Sequence, residues 1–160
     1  MSMKDIVVKE LTQENFEKYG YFCHMLEQGQ DGNSAFFPDR LVWKPMAEMG
    51  ASVGYACPCE MRIPWYEYHA ATAELRLPLD GDMVIYVGEP SEAPDVEQFD
   101  AFFIPQGTMI RLNPGVVHGR QFPLKDEPVH VLLLCEASTW ENDAKVWRLA
   151  PENQPLILLT

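Results

Sequence analysis

The chain has 160 residues, is 47% hydrophobic and 22% charged, and carries a net charge of -12. That length fits one domain with a substantial core. A field of that sign repels nucleic acid and anionic membrane, so the expected partner is a small molecule, with no nucleic acid and no membrane.

Near the start, Ile6-Val7-Val8 reads as a short strand. Thr12 is an expected N-cap for a helix running to about Tyr19, with Glu14 in its first turn and Gly20 as its stop. Residues 27–40 are rich in Gly, Gln, Asn and Asp and read as a long loop. From Val42 onward, Pro and Gly punctuate short strand-like pieces, expected at 52–57, 63–69, 73–77, 83–88, 101–104, 109–113, 116–121, 129–136 and 145–149. Glu89 to Gln98 reads as an acidic surface loop, and Thr139 to Ala144 as a helical turn. The pattern predicts an all-β sandwich or barrel.

The chain lacks any apolar run long enough for a membrane helix, which needs about 20 residues. Its four cysteines, Cys23, Cys57, Cys59 and Cys135, follow no apolar leader; reduced thiols and a cytoplasmic location are the expectation. Cys57-Pro58-Cys59 lacks a second cysteine pair to complete a zinc site and reads as thiols near a bend.

Two segments carry the chemistry: Glu67-x-His69-x4-Glu74-x6-Gly81, and Gly107-x5-Asn113-Pro114-Gly115-x2-His118. Two-residue spacing puts Glu67 and His69 on one face of a strand. Glu74 follows a turn of small residues, and His118 arrives from a distant strand. In a closed barrel all four side chains can meet. Two imidazoles and two carboxylates suit Mn, Fe, Ni or Zn, or acid–base work without an ion. The competing reading is that the carboxylates pair with a cation such as Arg76 and the histidines are satisfied core residues. Arg76 shares the strand face of Glu74 and is a candidate bidentate partner for a substrate carboxylate; Arg120, two residues past His118, is a second candidate.

With these spacings the chain resembles the cupin superfamily, whose first motif reads G-x5-H-x-H-x3,4-E-x6-G and whose second reads G-x5-P-x-G-x2-H-x3-N. Glu67 stands at the first His position, Asn113 at the Pro and Phe122 at the last Asn. The resemblance implies a double-stranded β-helix, or jelly-roll barrel, over about 42–136, preceded by a strand–helix segment at 5–20 and followed by a tail at 137–160, all in one domain. Within cupins the chain is similar to the ureidoglycolate lyase family, in Glu67-Tyr68-His69, Arg76-Leu77-Pro78-Leu79, Ile104-Pro105-Gln106-Gly107, Gly115-Val116-Val117-His118 and the opening Leu11 to Gly20. It departs from that family where Phe36-Phe37-Pro38-Asp39 replaces R-F-H-D, at Glu74, Arg76 and Val117, and at Gly119-Arg120 in place of His-Pro.

The family resemblance implies a carbon–nitrogen lyase that cleaves ureidoglycolate to glyoxylate and urea in allantoin breakdown. Glu67 and His118 would be catalytic, Arg76 and Arg120 would bind substrate, and a divalent metal would be held by Glu67, His69, Glu74 and His118. The alternatives are another metal-dependent cupin enzyme acting on a sugar, hydroxy acid or keto acid, and a non-catalytic cupin that binds a small ligand. Cupins pair barrels, so a homodimer is expected, with strand 6–8 and the apolar tail Leu156–Leu159 as its interface.

Overall fold

The computed structural model describes residues 3–26 and 39–159. The loop expected over 27–40, including Phe36-Phe37-Pro38, lies outside the described residues except for Asp39 and Arg40. Two sheets make up the fold. The smaller has five strands in the order β2 (Gly20–His24), β8 (Thr108–Leu112), β5 (Glu74–Pro78), β11 (Val129–Glu136) and β3 (Met49–Ala56). The larger has eight, running β12 (Ala144–Arg148), β4 (Trp65–His69), β9 (Val117–Gly119), β6 (Met83–Gly88), β7 (Asp100–Ile104), β1 (Ile6–Lys9) and β13 (Ile157–Leu158), with the short β10 (Phe122–Pro123) paired to β6. All pairings are antiparallel except those of β1 with β7 and with β13.

Alternation along the strands builds two cores. Met83, Ile85 and Val87 of β6 join Phe16, Tyr19, Phe102, Ile110, Leu112 and Val131 in one cluster. Val84 and Tyr86 of the same strand belong to the other, with Tyr66, Phe99, Val117, Phe122 and Ile157. This explains the uninterrupted apolar run of β6, since a strand covered on both faces has no solvent side to make polar. The first cluster fills the space between the sheets, and the second seats the 89–99 loop and the C-terminal segment on the back of the larger sheet.

Several expectations need correction in detail. Thr12 does cap a helix, its hydroxyl accepting from Asn15 N at 3.2 Å, but α1 is only Gln13–Phe16. Gly20 opens β2 instead of merely ending the helix; its Cα lies so close to the β8 backbone that a Cβ would meet Arg111 O at 1.8 Å. The tail after residue 137 holds α2 (Thr139–Asn142), β12 and β13, so it supplies strands to the larger sheet. Strand 6–8, expected at a dimer edge, is flanked by β7 and β13 within its own chain.

Candidate functional site

Strand β4 presents Glu67 and His69 to the barrel interior and turns Tyr66 and Tyr68 the other way, where both stack on Trp147. The β4–β9 ladder sets Glu67 directly opposite His118. After His69 the chain crosses to the smaller sheet through the turn 70–73, and Glu74 begins β5 on the far wall. Gly115, at φ +82°, makes the turn that leads into His118, and its N–H donates to His69 O at 2.6 Å.

Glu67, His69 and His118 are buried, and each offers one ligand atom within 4.8 Å of the others. Glu74, 1% exposed, joins them from the histidine side: its Oε2 is 3.2 Å from His69 Nε2 and 3.5 Å from His118 Nε2. Its other oxygen accepts a short bond from Arg76 Nε. Arg76, 4% exposed, also donates from Nη1 to Gly119 O and to Gln121 Oε1, both at 2.7 Å. Its guanidinium is thus committed to the protein and ties β5 to the end of β9. Arg120 is not brought to this group; it is exposed, beyond the end of β9, with Nη1 3.4 Å from Cys59 Sγ. The strand stops at Gly119, so the two-residue alternation that would have aimed Arg120 inward no longer applies.

Burial pushes the Glu67 carboxyl up, against the pull of His118 and Arg76. Burial acts on Glu74 in the same sense, but Arg76 and His118 hold its carboxyl well below the usual range. One of the two neighbouring carboxylates is therefore neutralised by a fixed cation and the other is not.

The arrangement fits a divalent ion. His118 Nδ1 lies 2.8 Å from Val116 O, and a bond donated there fixes the tautomer that leaves Nε2 as a lone pair facing the group. That Nε2 is buried with no hydrogen-bond partner, while His69 meets Glu74 with its Nε2 and keeps a buried, unpartnered Nδ1 away from that contact. A buried imidazole nitrogen without a partner is costly, and a cation among two carboxylates and two imidazoles removes that cost for His118 Nε2.

The sequence reading did not place two further neighbours. Trp140 packs edge-on against His69, with ring centroids 5.1 Å apart at 86°, and Asp143 accepts from the backbone of the 70–72 turn. Their position follows from the pairing of β12 with β4, which no local motif signals. The two remaining histidines lie elsewhere: His24 bonds Thr108 at 2.8 Å, and His130 pairs with Asp80 at 2.5 Å on the surface. All four cysteines are free. No helix among the described residues is long and apolar enough to cross a membrane.

No family model matches the sequence, and no curated protein matches it. Among solved structures, a dTDP sugar isomerase from Desulfovibrio desulfuricans G20 aligns over 84% of this chain and 85% of its own, at 13% identity and a TM-score of 0.55. An oxalate decarboxylase from Bacillus subtilis, a protein with Mn(II) centres, aligns over 64% of this chain at 14% identity and a TM-score of 0.45. Another from Lactobacillus farciminis aligns over 64% at 15% identity and a TM-score of 0.44. The chain spans only 24% and 27% of the length of those two decarboxylases. At these identities the likeness is one of fold, and the fold of this chain is the cupin jelly roll.

Proposed function

We propose that the protein is a metal-dependent cupin enzyme acting on a small hydroxy acid, with cleavage of ureidoglycolate to glyoxylate and urea as its reaction. The observation that carries the metal assignment is the buried Glu67–His69–His118 group with the unpartnered Nε2 of His118. Glu67, His69 and His118 would hold the ion, with Glu74 as a fourth ligand through the oxygen that faces both rings. Arg76 would steady Glu74 from behind, as hydrogen-bonded outer partners steady metal-binding carboxylates. The substrate assignment rests on the motif resemblance and on charge. With Glu74 neutralised by Arg76, a divalent ion beside Glu67 leaves the centre net positive, which suits a single substrate carboxylate.

Ureidoglycolate carries a carboxylate, a hydroxyl and a ureido nitrogen on one carbon. Cleavage requires loss of the hydroxyl proton as the C=O forms and protonation of the departing nitrogen. A bound ion would supply Lewis acidity to the hydroxyl and carboxylate oxygens. Glu67, raised by burial, is the proton acceptor of the site, and the proton it takes from the hydroxyl is the one it returns to the departing nitrogen, while His118, its direct cross-strand partner, would hold the ion through Nε2. Arg76 already makes three bonds within the protein, so the task of meeting the substrate carboxylate falls to the ion.

The raised Glu67 carboxyl also favours a second reading, metal-free acid–base cleavage by Glu67 and His118. Glyoxylate release from ureidoglycolate, measured with and without EDTA and with added Mn²⁺ or Zn²⁺, separates the two. Release that EDTA abolishes and an ion restores supports the metal enzyme; EDTA-resistant release supports the second reading. Absence of release under every condition would sink the substrate assignment and turn the search to other hydroxy acids, keto acids and sugars. Glu67→Gln is expected to lower kcat/KM by about 100-fold or more while the protein still melts cooperatively.

A further inference from the structure

The turn between His69 and Glu74 is held from outside the barrel by a segment far along the chain. Asp143 Oδ1 accepts from Ala70 N at 3.0 Å, and Oδ2 accepts from Ala71 N and Thr72 N at 3.0 Å and from the Thr72 hydroxyl at 2.9 Å. Three successive N–H groups thus converge on one carboxylate, and the alternative is three unpaired donors at a tight crossover. The next residue, Ala144, opens β12 opposite His69 itself.

The same segment carries Trp140, whose ring meets His69 edge-on. It is anchored by Thr139, 2% exposed, which donates to Glu136 O at 2.6 Å. Ser138 enters it in the left-handed region, at φ 64°. That sharp reversal turns the chain off the end of β11 and brings the segment against His69 and the 70–72 turn.

We propose that Asp143 and Trp140 are positioning residues for the metal centre: Asp143 fixes the 70–72 backbone that sets His69 and Glu74 relative to each other, and Trp140 fixes the plane of the His69 ring. The proposal rests on the metal reading given above. His69 needs this outside support because its Nδ1 has no partner within the protein, whereas His118 is oriented by Val116 O. Asp143 provides the backbone constraint, and Trp140 the ring constraint, that a carbonyl supplies for His118.

The test uses the full-length protein and two readouts. One is calorimetric titration with Mn²⁺. The other is the histidine-ring NMR spectrum of the ion-free protein, in which the signals of His69 sense the ring current of Trp140. Asp143→Asn, which places an amide N–H₂ among donors, is expected to weaken Mn²⁺ binding by about 10–100-fold and to move the His69 signals. Trp140→Leu, at a half-exposed position that the core does not need, is expected to do the same, and Trp140→Phe to restore most of the affinity.

Wild-type Mn²⁺ affinity in both Asp143→Asn and Trp140→Leu, or unchanged His69 signals in Asp143→Asn, would overturn the proposal. Should wild-type protein take up no Mn²⁺ or Zn²⁺, the metal reading fails, and the ion-free spectrum of Asp143→Asn still decides whether Asp143 sets the His69 ring.

Discussion

Arg76 and Glu74 show how much a single contact can commit. Both are buried, and their ion pair joins strand β5 to the site on one side and to Gly119 and Gln121 on the other. Removing only the cation leaves a buried carboxylate uncompensated, which costs far more than the pair contributes net. Arg76→Met is therefore expected to destabilise the protein by about 3–5 kcal/mol. Adding Glu74→Gln should recover part of that loss, as read by urea denaturation; strictly additive losses would show that the two side chains act independently. The residue types and spacings of Glu67, His69, Glu74 and His118 were legible in the sequence because a strand's two-residue period decides which side chains share a face. The commitment of Arg76 to Glu74 was visible only as one option among several, since alternation gives direction and says nothing of partners.

Among the elements, β9 is tightly fitted at its end. A Cβ at Gly119 would lie 2.1 Å from Tyr86 Oη and 2.9 Å from Trp65 O. The Tyr86 hydroxyl donates to Trp65 O and accepts from Arg120 N at 2.9 Å, locking the strand end next to His118. Gly119→Ala should cost about 1–3 kcal/mol by overpacking and lower the melting temperature. Tyr86→Phe in the same chain should relieve part of it, and an unchanged melting curve for Gly119→Ala would contradict the packing.

The N-terminal strand is tied down by charge. Asp100 on β7 accepts from Lys9 at 2.7 Å and from Tyr19 at 2.9 Å. Burial would raise its carboxyl, but the bonds from Lys9 and Tyr19 hold it below the ordinary aspartate value. A depressed carboxyl contributes stability above its unfolded value, near pH 3.9, and that contribution is lost as pH falls through the folded value. At the other end, burial pushes Tyr19 up to about 12 from an ordinary 10.0, so its contribution is complete below pH 10 and lost as pH climbs toward 12. Asp100→Asn should flatten the acid limb of a stability-against-pH curve, and Tyr19→Phe the alkaline limb.

For the whole molecule, charge and edges set the terms of association. With β1 enclosed, the described ends of the larger sheet are β12 and the two-residue β13, beside exposed Val7, Leu158 and Leu159. The homodimer implied by the cupin resemblance would have to bring together two chains that each carry a net charge of -12. Sedimentation should therefore show association that strengthens with salt as the repulsion is screened. A single species of 18.3 kDa at every salt concentration would remove the dimer.

The sequence by itself determined the all-β class, most strand positions from 49 to 148 and the four inward-facing side chains of the centre. These follow from local rules: Pro and Gly break strands, and alternation assigns faces. Only the tertiary structure decided that Gly20–His24 is a strand, that strand 6–8 is enclosed and that Arg120 turns away. It alone showed that Trp140 and Asp143 reach the His69 turn. Each of these depends on which strands lie side by side across tens of residues, and such pairing is settled by the packing of two sheets around a shared core, which no local pattern encodes.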